Sequence, residues 1–300
     1  MSEKFLPDFF IIGAQKSGTS TLHHILENTN LVSLPKNKET HYFSEFIKKK
    51  KKYSWYEKQF FIKKSHELVG EVDPSYIYID DTARNIKKIV KKPKIIIILR
   101  KPIDRAFSHY SMSYRRGIEN FSFIEAILNE PQRLENKKEF NLKHFSYLDR
   151  GNYSSQIIKY QEIFKDSEFL FLKFDDLLNK ESKKKLIFSL FDFLGIKRSS
   201  IDGNFNNIHM NKNKTFRFKW IQNILYNDSR FKSLLSKLIK NSDIKYRIKE
   251  NIEKINLKNI DCSTDTIYKE LPQGIVDWNN AQIPELEKIT DLNLEKWYIE

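Results

Sequence analysis

Two unbroken apolar runs, Phe9-Phe10-Ile11-Ile12 and Ile95-Ile96-Ile97-Ile98-Leu99, constrain the fold of this chain more than any other feature. Consecutive apolar residues make both faces of a pleated strand apolar, so such a run belongs in the interior of a sheet covered above and below. Helix-forming text follows each. Beyond Gly13, Leu22, Ile25 and Leu26 recur at helical spacing between Thr19 and Asn28, and Pro102 suits the first turn of a helix after the second run. The same reading predicts helices at Asp80–Lys91, at Tyr153–Phe164 and at Ser182–Leu194, the last closed by Gly195, with a strand at Phe169–Phe174. Strands alternating with helices predict an α/β fold, a parallel sheet flanked by helices on both faces. One domain over residues 1–300 is expected, with its core at 9–195. A loop at Ile201–Met210 and helical pieces at Trp220–Tyr226, Phe231–Ile239 and Ile283–Lys288 complete the chain.

Composition narrows the class. Apolar residues are 40% of the chain and charged ones 31%, with 8 Gly and 8 Pro, which excludes collagen-like and disordered classes. The formal charge of +14 favours an anionic partner, although an A+T-rich coding bias raises Lys, Asn and Ile equally, so charge alone selects none. The lysine run Lys48–Lys52 reads as a solvated face. A lone cysteine, Cys262, excludes an internal disulfide and fits a reducing compartment. No N-terminal stretch has signal-peptide character and no apolar run approaches the roughly 18 residues a membrane span needs, so a cytoplasmic location is expected. His23, His24, His66, His109, His144 and His209 lack the spacing of metal ligands, and no metal is expected.

The segment Gly13-Ala14-Gln15-Lys16-Ser17-Gly18-Thr19-Ser20-Thr21 joins the first strand to the first helix. Glycines allow a tight turn, a helix start presents N–H groups and the positive end of a dipole, and Lys16 with the hydroxyls adds charge and donors. An oxyanion fits here. In the triphosphate-binding Walker pattern the Lys directly follows the second Gly, whereas Lys16 precedes Gly18, which disfavours magnesium-linked triphosphate geometry.

At Lys16, Gly18, Thr19, Ser20 and Thr21 the chain resembles the sulfotransferases that use 3'-phosphoadenosine 5'-phosphosulfate (PAPS), whose first loop reads Lys-x-Gly-Thr-(Ser/Thr)-(Ser/Thr). Arg100 and Ser108 resemble the pair with which that family binds the donor's 3'-phosphate, an Arg at the end of a buried strand and a Ser eight residues on. Physics supports the Arg independently, since a guanidinium at a strand's carboxyl end can fork onto phosphate oxygens. The resemblance continues through Gly151-Asn152-Tyr153 and through Lys212, Lys214 and Arg217, where the family closes a basic loop over the nucleotide. It implies a P-loop-like sheet and a donor site of Lys16, Ser17, Gly18, Thr19, Ser20, Thr21, Arg100, Ser108, Tyr153, Lys214 and Arg217. PAPS would be the co-substrate and adenosine 3',5'-bisphosphate the product.

Lys38-Glu39-Thr40-His41-Tyr42-Phe43 is similar to the Lys-Glu-x-His-Phe-Phe segment of the heparan sulfate type of carbohydrate sulfotransferase, in which the Glu is the base. The resemblance implies Glu39 as base, His41 as its rival, and Lys38 and His41 beside the acceptor or donor. Gly70-Glu71-Val72-Asp73-Pro74-Ser75-Tyr76 resembles a Glu-Lys-(Thr/Ser)-Pro-x-Tyr segment, with Glu71 on the wall of the substrate site. Val72 and Asp73 depart from it, which argues against a highly sulfated polysaccharide as acceptor. The implied acceptor is a hydroxyl or amine of a carbohydrate, glycolipid or small molecule, with no nucleic acid as partner. Two other readings keep the anion loop and change its use: a nucleotide kinase that prefers ATP with magnesium, and a non-catalytic polyanion-binding protein driven by charge.

Overall fold

In the computed structural model the residues described are 6–44, 52–61, 68–197, 214–216, 251–252, 257–259 and 267–300. Lys48 to Lys51, the loop at 201–210, the helical pieces at 220–226 and 231–239, His66, Lys212, Arg217 and Cys262 lie outside them. The chain, expected as one domain, divides into two compact units, Met1–Arg105 with Asn152–Met210 and Asp277–Glu300, and Ala106–Gly151 with Asn211–Val276.

The first unit holds the sheet. Its strands are β1 (Phe9–Gly13), β2 (Val32–Ser33), β3 (Leu68–Val72), β4 (Lys94–Leu99) and β5 (Phe169–Lys173), in the spatial order β2-β3-β1-β4-β5 and parallel throughout. The two apolar runs are the central pair, β1 and β4, and are buried along their length. Alternate side chains feed two cores. Phe10, Ile12, Ile95 and Ile97 face one side, where α3 (Thr82–Ile89), α5 (Tyr153–Ile163) and α7 (Ile283–Thr290) contribute Ile86, Ile157 and Leu286. Phe9, Ile11, Ile96 and Ile98 face the other, against Leu22 and Ile25 of α1 (Thr19–Glu27) and Ile187 and Leu190 of α6 (Lys180–Leu194). Helices therefore cover both faces, as the periodicity predicts. Gly195 ends α6 at φ 79, a left-handed conformation that glycine adopts without a Cβ penalty.

Around this sheet, three elements before β4 were not legible as such. The edge strand β2, the inner strand β3 and the short helix α2 (Tyr53–Glu57) carry too few apolar residues at a clean period to stand out. In β3, Glu71 interrupts the apolar pattern although it is fully buried. The C-terminal segment docks through Trp297, whose indole N–H donates to Asp175 at 2.9 Å, and through the Tyr298 carbonyl, which accepts from Lys101 Nζ at 3.1 Å.

The second unit begins within α4 (Pro102–Arg115) and holds short helices at Phe123–Leu128, Glu130–Leu134 and Glu139–His144. A reciprocal Ser122 and Glu125 capping box starts the first of these. Its buried anchor is Glu119, which binds Arg133, the Tyr147 hydroxyl at 2.9 Å and the amide of Phe121 at 3.0 Å. A two-stranded antiparallel ribbon pairs Lys214–Phe216 with Leu257–Asn259. Among the described residues no helix is long and apolar enough to cross a membrane.

Candidate active site

Because every strand of the sheet runs the same way, the carboxyl ends of β1, β2, β3 and β4 lie along one edge. The chain winds from β1 toward β2 and β3 on one side and places β4 on the other, so the order reverses between β1 and β4. Open α/β sheets bind ligands in the crevice at such a reversal.

The turn after β1 and the end of β4 meet there. Ala14 N donates to the Ile98 carbonyl at 2.8 Å, and Arg100 Nη1 donates to the Lys16 carbonyl at 3.4 Å. The Arg100 guanidinium lies over the Phe174 ring, 4.4 Å from its centroid, which leaves its edge for hydrogen bonding. Its Nε is buried with no hydrogen-bond partner among the described residues, which leaves it an acceptor-seeking atom. Gly18 caps α1 at φ 97, and a Cβ there would lie 2.7 Å from Leu177 Cδ1, so the turn admits glycine alone without rearrangement. No side chain caps α1. Its first N–H groups and dipole suit an anion.

The hydroxyls of this loop differ in environment. Ser17, Thr19 and Thr21 are buried while Ser20 is exposed. Tyr153, expected at the nucleotide, is fully buried, and its hydroxyl donates to the Arg100 carbonyl at 3.0 Å. It therefore holds the backbone of Arg100 from beneath. Ser108 lies within α4, half-buried, in the second unit; Lys214 lies in the ribbon of that unit.

The segment Lys38–His41 is gripped by the end of β3. Lys38 Nζ donates to Glu39 Oε1 at 2.9 Å, and His41 Nε2 is 3.8 Å from Glu39 Oε2. The other ring nitrogen of His41, Nδ1, is 2.7 Å from Asp73 Oδ2, which also accepts from the His41 amide at 3.0 Å. Lys38, Glu39 and His41 are all partly exposed and so within reach of a ligand, whereas Asp73 is fully buried.

Glu71 differs from the expectation of a wall residue. Its carboxyl is fully buried and accepts from the Thr40 amide at 3.1 Å, from the Thr40 hydroxyl, from Tyr76 Oη at 3.1 Å and from Tyr56 Oη at 2.9 Å. Burial, and then the neighbouring charge of Asp73, pushes it from the ordinary 4.5 up to about 7. Burial raises the Tyr56 and Tyr76 phenols well above their ordinary 10, so both remain donors. The sequence alone assigned neither Asp73 nor Tyr56 a role in the site. The signal for Asp73 was its departure from the hydroxyl residue of the resembled segment; for Tyr56 it was Tyr53-Ser54-Trp55-Tyr56, which is similar to a Trp-Tyr segment of the same carbohydrate branch. Val72, the other departure, is fully buried in the core with Leu22 and Ile25.

Among the described residues, two groups bring three ligand atoms within 4.8 Å of one another, His23, His24 and Glu27 on α1, and Glu39, His41 and Asp73. In the second the Lys38 ammonium already supplies a cation to Glu39.

Comparison with known proteins adds the family. The family model for the sulfotransferase domain matches residues 6–261. Over 111 residues, 36% of this chain, the sequence is 33% identical to the membrane-associated sulfotransferase kil1 of Dictyostelium discoideum and covers 23% of it. Over 215 residues, 71% of this chain, it is 26% identical to heparan sulfate glucosamine 3-O-sulfotransferase 3B1 of Homo sapiens and covers 51% of it. The chain thus spans no more than about half the length of these curated relatives. A sulfotransferase crystal structure from Alicyclobacillus acidocaldarius shares the fold at a TM-score of 0.66, with 20% identity over 98% of this chain and 99% of that one.

Proposed function

We propose, from the premise that this chain belongs to the sulfotransferase domain family, that it moves a sulfuryl group from PAPS to a hydroxyl or amine of a carbohydrate. One observation carries the donor assignment: Arg100 and the Lys16 turn, two anion-seeking ends, are hydrogen-bonded to each other across the crevice between β1 and β4. The buried Nε of Arg100 and the uncapped start of α1 fit a ligand anionic at both ends.

PAPS supplies an activated sulfuryl group on a phosphate leaving group. Lys16 and the start of α1 hold that phosphate and stabilise the charge that grows on its bridging oxygen. Arg100 holds the 3'-phosphate, with Tyr153 fixing its backbone. Glu39 takes the acceptor's proton, and Lys38 keeps the carboxylate in place. Positioning and electrostatics then carry the transfer, as in phosphoryl transfer. The carbohydrate acceptor is supported by the match between Lys38–Phe43 and the heparan sulfate type, and by the heparan sulfate glucosamine acceptor for which the human relative is named.

Calorimetric titration with adenosine 3',5'-bisphosphate tests the donor site. Two charge-assisted hydrogen bonds lost in Arg100→Ala amount to about 3 kcal/mol or more, so affinity should fall at least about 100-fold. Equal binding by the variant, or a preference of the unaltered chain for ATP with magnesium, overturns the reading.

A further inference from the structure

Glu71 and Asp73 are two residues apart at the end of one strand, and each takes hold of one residue of the Lys38–His41 segment by its amide and its side chain together. Glu71 binds Thr40 N and Oγ1; Asp73 binds His41 N and lies against His41 Nδ1. The second grip decides chemistry. Asp73 Oδ2 accepts from the His41 amide and Oδ1 from the Ser75 amide at 3.1 Å, so the carboxyl is engaged by fixed donors at both oxygens. A ring nitrogen 2.7 Å from such an oxygen makes its best contact when it carries the proton. With the proton on Nδ1, the lone pair of neutral His41 is on Nε2, the nitrogen on the Glu39 side. His41 has φ 52, a left-handed conformation that a non-glycine residue keeps only when its surroundings hold it. The two Asp73 contacts and the Ser44 hydroxyl, which donates to the His41 carbonyl at 2.8 Å, supply that hold.

Resting on the sulfotransferase reading above, we propose that Asp73 is a positioning residue for the transfer: it keeps the His41 proton on Nδ1, so that Nε2 receives the proton that Glu39 removes from the acceptor. As the bond from the acceptor oxygen to sulfur forms, the acceptor O–H bond breaks and its proton passes to Glu39 and then to Nε2. The bond from sulfur to the bridging oxygen breaks, and its electron pair leaves with the adenosine bisphosphate. The imidazolium so formed lies between the Asp73 and Glu39 carboxylates. Among the described residues, Lys38, on Glu39, and Glu71, beside Asp73, are further titratable groups around this pair. The hydroxyl residue of the resembled segment could donate as well as accept; a carboxylate held by two amides only accepts, which is what the departure at 73 supplies.

The experiment uses the full chain labelled with 15N-histidine, the His41 signal being assigned by its loss in His41→Gln. The unaltered protein at neutral pH should show a protonated Nδ1 and an unprotonated Nε2. In Asp73→Asn the side-chain amide can donate to Nδ1 and reverse the tautomer. Release of adenosine 3',5'-bisphosphate from PAPS with an unsulfated heparosan hexasaccharide should then fall in kcat by about 10² to 10⁴-fold, the range that a positioned proton acceptor contributes. KM for PAPS and affinity for the bisphosphate should stay within about 2-fold, which also reports that the variant is folded. Asp73→Ser, with the residue type of the resembled segment, is the second variant and should show the same loss, and neither change should add to that of His41→Gln. An unprotonated Nδ1 in the unaltered chain, or an unchanged kcat in both variants, overturns the proposal while leaving the donor site standing. Failure of the unaltered chain to bind the bisphosphate removes the sulfotransferase reading and the proposal with it.

Discussion

Replacing Glu71 by Gln should make this protein's stability less sensitive to pH, by an amount that its burial sets. In the unfolded chain the carboxyl titrates near 4.5; folded, burial first and Asp73 second raise it to about 7. Between those values the folded chain holds a proton that the unfolded chain has released, so stability falls as pH rises through the window. Below 4.5 and above 7 this group contributes no slope. At about 1.4 kcal/mol per pH unit, the loss across the window is about 3 kcal/mol. Glutamine has no proton to lose, and its carbonyl can still accept from the Thr40 amide. Urea unfolding of both chains by tryptophan fluorescence, in steps from pH 4.5 to about 8, reads the effect of Glu71 together with its neighbour Asp73, because titrating groups remote from this pair cancel in the difference. Glu71→Gln should gain about 3 kcal/mol over the unaltered chain from pH 4.5 to 7 and nothing further above. Parallel stability curves would show that Glu71 ionises as readily folded as unfolded, and the buried network as described would be wrong.

Two further substitutions probe the edge of the sheet. Gly18→Ala forces a Cβ into φ 97 and to 2.7 Å from Leu177 Cδ1; it should cost about 1–3 kcal/mol by thermal unfolding and weaken bisphosphate binding as the turn shifts. A variant of equal stability and affinity would show that the turn does not require glycine. Val72→Lys restores the residue type of the resembled segment but buries an ammonium among Leu22 and Ile25, so a loss of several kcal/mol, about 3 or more, is expected in urea unfolding. Unchanged stability would mean that the end of β3 admits a charge, contrary to its burial.

Periodicity alone was enough for β1, β4, α1, α5 and α6, because a strand apolar on both faces and a helix apolar on one stripe each leave a local pattern. The Lys16 turn and Arg100 were legible for a related reason: each directly follows such a strand, so their chemistry falls at its carboxyl end. Lys38, Glu39 and His41 came from resemblance, with no periodic element beneath them to say where they lie.

What the amino-acid order determined by itself was therefore the class of fold, its central strands and the two anion-seeking ends, since these depend on contacts between near neighbours along the chain. Which strands lie side by side, and hence that Arg100 reaches the Lys16 carbonyl from 84 residues away, was decided by tertiary structure. So was the burial of two carboxyls. The resemblance put Glu71 on the wall of the substrate site and marked Asp73 only as a departure, yet the pairing of β3 with β1 carries both out of water and against Thr40 and His41, 31 and 32 residues away. Burial and partner set a carboxyl's chemistry, and neither is a property of the residues next to it in sequence.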